Sequence, residues 1–264
     1  MKQIIDIANY KIFVNTEGEG NPILLLHSYW GGEHLFDRLA GVLSKSRKVI
    51  RIDLPGHGNS GNPPEGYRFD DFAHVLTALL IHLGISEKAA IIGHSMGGYV
   101  ALAYVACFPE KIDSLVLMHA PVREADLQSI KLRNREAALL FKGKKELLLQ
   151  VTIPSNFAPE DHPQKRDWIE LLYQTANRVT LKGAFRSIEA MNYRRNYLET
   201  LQNSNYPILI IIGKYDKVYP ADGQLADGFQ IPNAEILLLD HSGHLGFLEE
   251  EESVTNKLKE FVNL

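Results

Sequence analysis

Six short apolar runs separated by stretches of helical spacing constrain this chain most strongly. They fall at 23–26, 49–53, 89–93, 114–119, 207–213 and 235–239. Near-continuous Ile, Leu and Val, as in Ile-Leu-Leu-Leu at 23–26 and Ile-Leu-Ile-Ile-Ile at 208–212, suits strands buried on both faces of a parallel sheet. Alternation with helical stretches makes the helices crossovers between them. Two further runs, 3–7 and 10–14, are separated only by Ala8 and Asn9, which predicts an antiparallel hairpin at one sheet edge. Eight strands are therefore expected.

Between them, the apolar positions 72, 75, 76, 79, 80 and 83 lie on one helical face, and Gly84 follows as a stop. The stretch 96–108 is apolar almost all round and ends at Pro109, which places that helix in the interior against the sheet. From Pro121 to about Asn196 no strand-like run occurs, and helical patterns such as 133–150 and 164–179 take over. Such a length is too great for a connecting loop. The expected organisation is a core of residues 1–121 and 197–264 with a helical lid, 122–196, inserted between sheet strands. The inserted segment holds 14 basic and 9 acidic residues, a balance of +5. We expect a solvated helical surface there rather than an anion-selective one.

Composition narrows the function. With 45% hydrophobic and 23% charged residues the chain has the makings of an ordinary core, and a net charge of −4 gives no reason to expect nucleic acid. The single cysteine, Cys107, cannot close an internal disulfide and reads as a small buried hydrophobe. Asp6 and Asn9 interrupt what would have to be the apolar stretch of a secretion signal, and no run approaches the ~18 apolar residues of a membrane span. The expectation is a cytoplasmic protein with a small-molecule substrate, no membrane or nucleic-acid partner and no cofactor; monomer and homodimer stay open. Five histidines, at 27, 57, 94, 119 and 241, invite a metal, but H-E-x-x-H and paired-cysteine spacings are absent. No metal is expected. The acidic run 249–252 reads as the polar start of the last helix.

The chemistry centres on 93–98. The run 89–93 leads directly into Gly93-His94-Ser95-Met96-Gly97-Gly98 and then into the apolar helix, the strand, sharp turn and helix setting of a G-x-S-x-G nucleophile. A serine there sits in strained backbone, and the helix N-terminus aims free N–H groups at negative charge beside it. Its hydroxyl needs a histidine to accept the proton and a carboxylate to hold that histidine. Asp216 lies just past one later run and His244 in the loop after the next. The order is Ser95, Asp216, His244.

Here the chain resembles the α/β-hydrolase family over essentially its whole length, nearest its small lidded serine esterases and haloperoxidase-like hydrolases. Gly93 to Gly98 resembles the nucleophile elbow, and Asp53-Leu54-Pro55-Gly56-His57-Gly58-Asn59-Ser60 the D-x-P-G-x-G-x-S turn. Gly213-Lys214-Tyr215-Asp216 resembles the acid turn, and Ser242-Gly243-His244 the histidine loop. The resemblance implies an eight-stranded, mostly parallel sheet flanked by helices with a helical lid. It also implies an oxyanion hole from the backbone N–H groups of Tyr29 and Met96, with Ser28 standing where the family usually has glycine. Should that position need positive φ, serine there costs about 1 kcal/mol. Candidate pocket residues are Trp30, His94, His119, Phe157 and Trp168.

The function expected is hydrolysis of small carboxylic esters through an acyl-enzyme on Ser95. The same triad could instead cleave a carbon–carbon bond, or act as a lyase, on a carboxylate-bearing substrate held by Arg123, Arg194 or Arg195. A third reading is a ligand receptor with negligible turnover. Whether those guanidiniums face the pocket separates the first two.

Overall fold

The computed structural model describes residues 1–160 and 162–262. Eight strands form one sheet: β1 (Lys2–Ile7), β2 (Tyr10–Glu17), β3 (Pro22–Leu26), β4 (Lys48–Ile52), β5 (Ala89–His94), β6 (Ile112–Met118), β7 (Ile208–Gly213) and β8 (Ala234–Leu239). Their order is β1-β2-β4-β3-β5-β6-β7-β8. Pairing is antiparallel from β1 through β2 to β4 and parallel from there on. The expected edge hairpin forms because Ala8 and Asn9 both adopt positive φ, 47° and 67°, the backbone of a two-residue turn that matches strand twist.

The helices of the first half are α1 (Asp37–Leu43), α2 (Phe69–His82) and α3 (Met96–Cys107). Helix α3 is buried from Met96 to Val105, packing on α2 and on β3, β5 and β6, so an apolar residue is needed at nearly every position. Cys107, at its last position, is only partly buried, because the helix emerges there.

Between β6 and β7 stand α4 (Leu127–Phe141), α5 (Lys145–Ser155), α6 (Lys165–Asn177), α7 (Leu181–Asn192) and the short α8 (Leu198–Gln202). The pattern read as one helix over 133–150 is two, because Gly143 takes φ 69° and ends the first. The two ends of this insertion are tied together: the Tyr197 N–H donates to the Val122 carbonyl at 2.9 Å, and Arg194 Nε to the Arg123 carbonyl at 2.9 Å. It is seated on the core where Gly183 of α7 meets Gly56, whose φ of 84° only glycine adopts easily. A Cβ on either glycine would enter the other's backbone.

The chain closes with α9 (Ala221–Gly228), α10 (Gly246–Glu249) and α11 (Glu251–Phe261). No helix among the described residues is long and apolar enough to cross a membrane.

Candidate active site

The C-terminal ends of β5, β7 and β8 deliver the three residues singled out for chemistry. Ser95 follows β5 directly and holds φ 53°, ψ −114°, while its N–H donates to the Met118 carbonyl of β6 at 2.9 Å. This strained conformation persists because its surroundings leave no alternative. A Cβ on Gly93 would meet the Gly97 carbonyl oxygen at 2.5 Å, and one on Gly97 would strike the Leu26 carbonyl. Strand and helix can approach so closely only because both positions are glycine.

Asp216 lies in the turn after β7. Its Oδ1 accepts the N–H groups of Val218 and Tyr219 at 2.8 and 2.9 Å, and its Oδ2 accepts His244 Nδ1–H at 2.8 Å. That bond fixes the His244 tautomer and leaves Nε2 as the free acceptor. Burial alone would raise the Asp216 carboxyl, but the neighbouring His244 and His119 outweigh it and hold the group well below the usual carboxylate range.

His119 stands on the other flank of Asp216. Its Nε2 accepts the Gly246 N–H at 3.1 Å, so the proton resides on Nδ1, 3.4 Å from Asp216 Oδ2. His119 itself has a positive φ of 51° and is fully buried, and burial lowers its proton affinity. Ligating atoms of His119, Asp216 and His244 lie within 4.8 Å of one another, the one such group among the described residues. His244 Nδ1–H is bound to Asp216 Oδ2 and His119 Nε2 to the Gly246 N–H, while His119 Nδ1 makes no hydrogen bond despite its 3.4 Å approach to the same carboxylate oxygen.

Loops hold His244 from both sides. Its N–H donates to the Asn156 carbonyl of the insertion at 2.6 Å, and its carbonyl accepts from His94 Nε2 at 2.8 Å. The Glu249 carboxylate takes N–H groups of Gly243 and Ala158 at 2.9 and 2.7 Å, while Glu250 binds the His241 N–H and the Ser242 hydroxyl. Sequence reading gave this acidic run only a helix-start role. Glu251 and Glu252 do form the acidic first turn of α11, while Glu249 and Glu250 in addition clamp the histidine loop, their signal an acidic cluster five residues after that loop's histidine.

The backbone N–H groups of Tyr29 and Met96 have no hydrogen-bond acceptor among the described residues, and Tyr29 and Ser95 line one cavity. Ser28 does not adopt positive φ, so serine is accommodated without strain where glycine is usual. The loop is braced by His27, whose Nε2 accepts the Leu54 N–H at 2.8 Å, and by His57, hydrogen-bonded to the Tyr29 carbonyl.

The cavity, about 470 Å³, is lined from the core by Tyr29, Trp30, Ser95, Tyr219 and His244, and from the insertion by Arg133, Glu136, Leu139, Ile153 and Asn156 among others. Of five expected pocket residues it contains one, Trp30. His94 and His119 lie behind the wall, spent on the His244 carbonyl and the Gly246 N–H. Phe157 and Trp168 stack on each other at 6.1 Å inside the insertion's own packing. The three arginines proposed to hold a carboxylate also face elsewhere. Arg123 pairs with Asp227, Arg195 pairs with Asp70, and Arg194 is buried under the Tyr99 ring while clasping the neck of the insertion. The cations that do line the cavity are Arg133, Arg135 and Lys217. Arg133 and Glu136 were missed, although their spacing of three residues puts both on one face of α4.

A parallel sheet flanked by helices, with a strained serine at a strand-to-helix turn and an Asp–His pair beyond the next strands, defines a hydrolase-type α/β protein. A family model of the alpha/beta hydrolase fold matches residues 21–251. The chain belongs to the α/β-hydrolase family and is an enzyme of the hydrolase class. It is 27% identical to an AB hydrolase superfamily protein of Bacillus subtilis over 96% of this chain and 95% of that one. Identity to a 2-hydroxy-6-oxononadienedioate/2-hydroxy-6-oxononatrienedioate hydrolase of Paraburkholderia phymatum is 28%, covering 96% and 91%. Among solved structures, an esterase from Exiguobacterium antarcticum superposes with a TM-score of 0.88 at 23% identity over the whole of both chains.

Proposed function

We propose that this hydrolase is a serine esterase acting on small carboxylic esters through an acyl-enzyme on Ser95. The observation that carries the reading is the Asp216–His244 hydrogen bond of 2.8 Å opening, through His244, on the same cavity as the strained Ser95. His244 Nε2 takes the Ser95 proton as Oγ attacks the ester carbonyl. The N–H groups of Tyr29 and Met96 receive the developing oxyanion, an interaction worth several kcal/mol in such sites. The proton passes to the departing alcohol, and water releases the acid by the same steps in reverse. Residues 122–196 serve as a lid that supplies the second wall of the cavity. Structural likeness to the Exiguobacterium antarcticum esterase supports the fold on which this chemistry runs.

One observation favours a second reading. Arg133 and Lys217 line the cavity, so a carboxylate-bearing substrate would find a cation there even though Arg123, Arg194 and Arg195 face away. The Paraburkholderia phymatum relative is named for a dioate substrate. Hydrolysis of p-nitrophenyl esters from acetate to decanoate, with fluorophosphonate labelling of wild type and Ser95→Ala, tests the proposal. Turnover over one range of chain lengths, with both turnover and labelling lost in the variant, is expected. Labelling without turnover of any ester would overturn it in favour of carbon–carbon cleavage or a receptor.

A further inference from the structure

Of the three cations lining the cavity, only Arg133 is buried, at 8% exposure, while Arg135 and Lys217 stand open to solvent. Its sole hydrogen bond among the described residues runs from Nη1 to Asn192 Oδ1 of α7 at 2.8 Å. Nε and Nη2, the side edge of the guanidinium, are left without an acceptor there. No carboxylate pairs with it among the described residues, in contrast to Arg123 on Asp227 and Arg195 on Asp70. A buried charge is ordinarily paired, and a guanidinium cannot shed its proton to avoid the cost.

The cavity wall does not supply the missing charge. Glu136, one turn further along α4, is taken up by the Tyr29 hydroxyl and the Trp30 N–H, and burial raises its carboxyl to about 7, so near that pH it is only about half ionised. Ser129, Thr152, Ser155 and Asn156 on the same lining are neutral. The counter-charge is left to the ligand. Its shape follows from the donors, because the Nε–Nη2 edge presents two parallel N–H groups, the fork that a carboxylate fills with both oxygens. A phosphate monoester brings nearly two charges and would need a second buried cation, which the cavity lacks among the described residues.

We infer that Arg133 is a carboxylate anchor, and that the esters this enzyme takes carry a free carboxylate in the portion lying against α4 and α7. The ester part of this statement rests on the esterase reading; the anchor rests on the unpaired guanidinium alone. Arg135 and Lys217, at the open rim, draw an anion toward the cavity but do not desolvate it.

Binding is measured first, without turnover. Methyl ketones ending in a carboxylate, with two to six methylenes between the groups, and the same ketones ending in a methyl group are titrated calorimetrically into wild type, Arg133→Gln, Arg133→Lys and Lys217→Met. Arg133→Gln removes the charge yet can still donate to Asn192, and Arg133→Lys keeps the charge without the fork. In wild type at least one acid should bind about tenfold or more tightly than its neutral counterpart. That preference should fall to near parity in Arg133→Gln, survive in part in Arg133→Lys and persist in Lys217→Met. Parity across the series in wild type, no binding of any acid, a preference unchanged in Arg133→Gln, or one lost to the same degree in Lys217→Met would each overturn the inference. Monoethyl and diethyl esters of succinate through suberate are assayed in parallel. A higher kcat/KM for a half-ester than for its diester is expected, and the reverse order throughout would overturn the inference as well. Preferential binding of an acid with no ester turned over would sink the esterase reading and leave the anchor standing.

Discussion

The two walls of the cavity are built on different terms. On the core side each polar group of Asp216 is paired, the His244 tautomer is fixed, and the backbone at Ser95 is pinned by glycines too close to their neighbours to carry a side chain. On the opposite side the insertion presents Glu136, a neighbour of Tyr29 and Trp30 of the core side, beside Arg133 and a largely aliphatic surface of Leu139, Leu148 and Ile153. Satisfied, over-determined geometry is what a reaction needs, since misplacement by about 1 Å can lose on the order of 100-fold in rate. The two walls are joined through the Asn156 carbonyl, which accepts the His244 N–H.

Substitutions that address one wall and spare the other sharpen this division. The largest effect belongs to Asp216→Asn. It keeps the shape but removes the anion that selects the His244 tautomer, and kcat should fall by roughly 10³- to 10⁴-fold, with KM for p-nitrophenyl esters little changed. A loss below tenfold would mean that the Asp216 anion does not set the His244 tautomer.

Gly183→Ala comes next. Its new Cβ would lie about 2.5 Å from the Gly56 Cα, so the insertion must shift on the core. Overpacking of this kind lowers stability by about 1–3 kcal/mol, visible in denaturant melts. KM should rise several-fold while Ser95 labelling by a small fluorophosphonate stays near the wild-type rate. Labelling that fell in step with KM would mean the two walls are not separable.

The smallest effect is in pH dependence, where the walls have opposite signs. Burial lowers the proton affinity of His27, His57, His94 and His119 on the core side. Unfolded, these imidazoles take up protons below about pH 6.5, so the stability they contribute is present above that pH and is lost as pH falls below it. Glu136, raised to about 7 from an ordinary 4.5, binds its proton more tightly when folded and offsets part of that loss as pH drops from 7 to 4.5. Thermal melts of Glu136→Gln between pH 7 and 5 should therefore fall by a few degrees more than those of wild type. An equal or shallower fall would show that the carboxyl is not raised.

Sequence alone disclosed most of the core wall because its geometry is forced by residue type. Only glycine permits the approaches at Gly93 and Gly97, and only near-continuous Ile and Leu suit β3 and β7, so those motifs carry their own structure. The insertion wall was much less legible. Spacing shows which residues share a helix face but not toward which neighbour that face turns, so Phe157 and Trp168 were assigned to a pocket they sit behind. Arg194, which resembled a substrate anchor, is consumed by the Arg123, Met191 and Glu124 carbonyls. The roles of Glu249 and Glu250 depend on the loop folding back onto the following helices, a tertiary contact that local pattern does not encode.

The proposed esterase chemistry requires an acyl group carried by Ser95. Wild-type protein mixed with a p-nitrophenyl ester, quenched in acid on the millisecond scale and digested, should yield the peptide containing Ser95 bearing the acyl mass, with its amount decaying as substrate is exhausted. Turnover of the same ester with that peptide unmodified throughout, or with the acyl group on another residue, would contradict it.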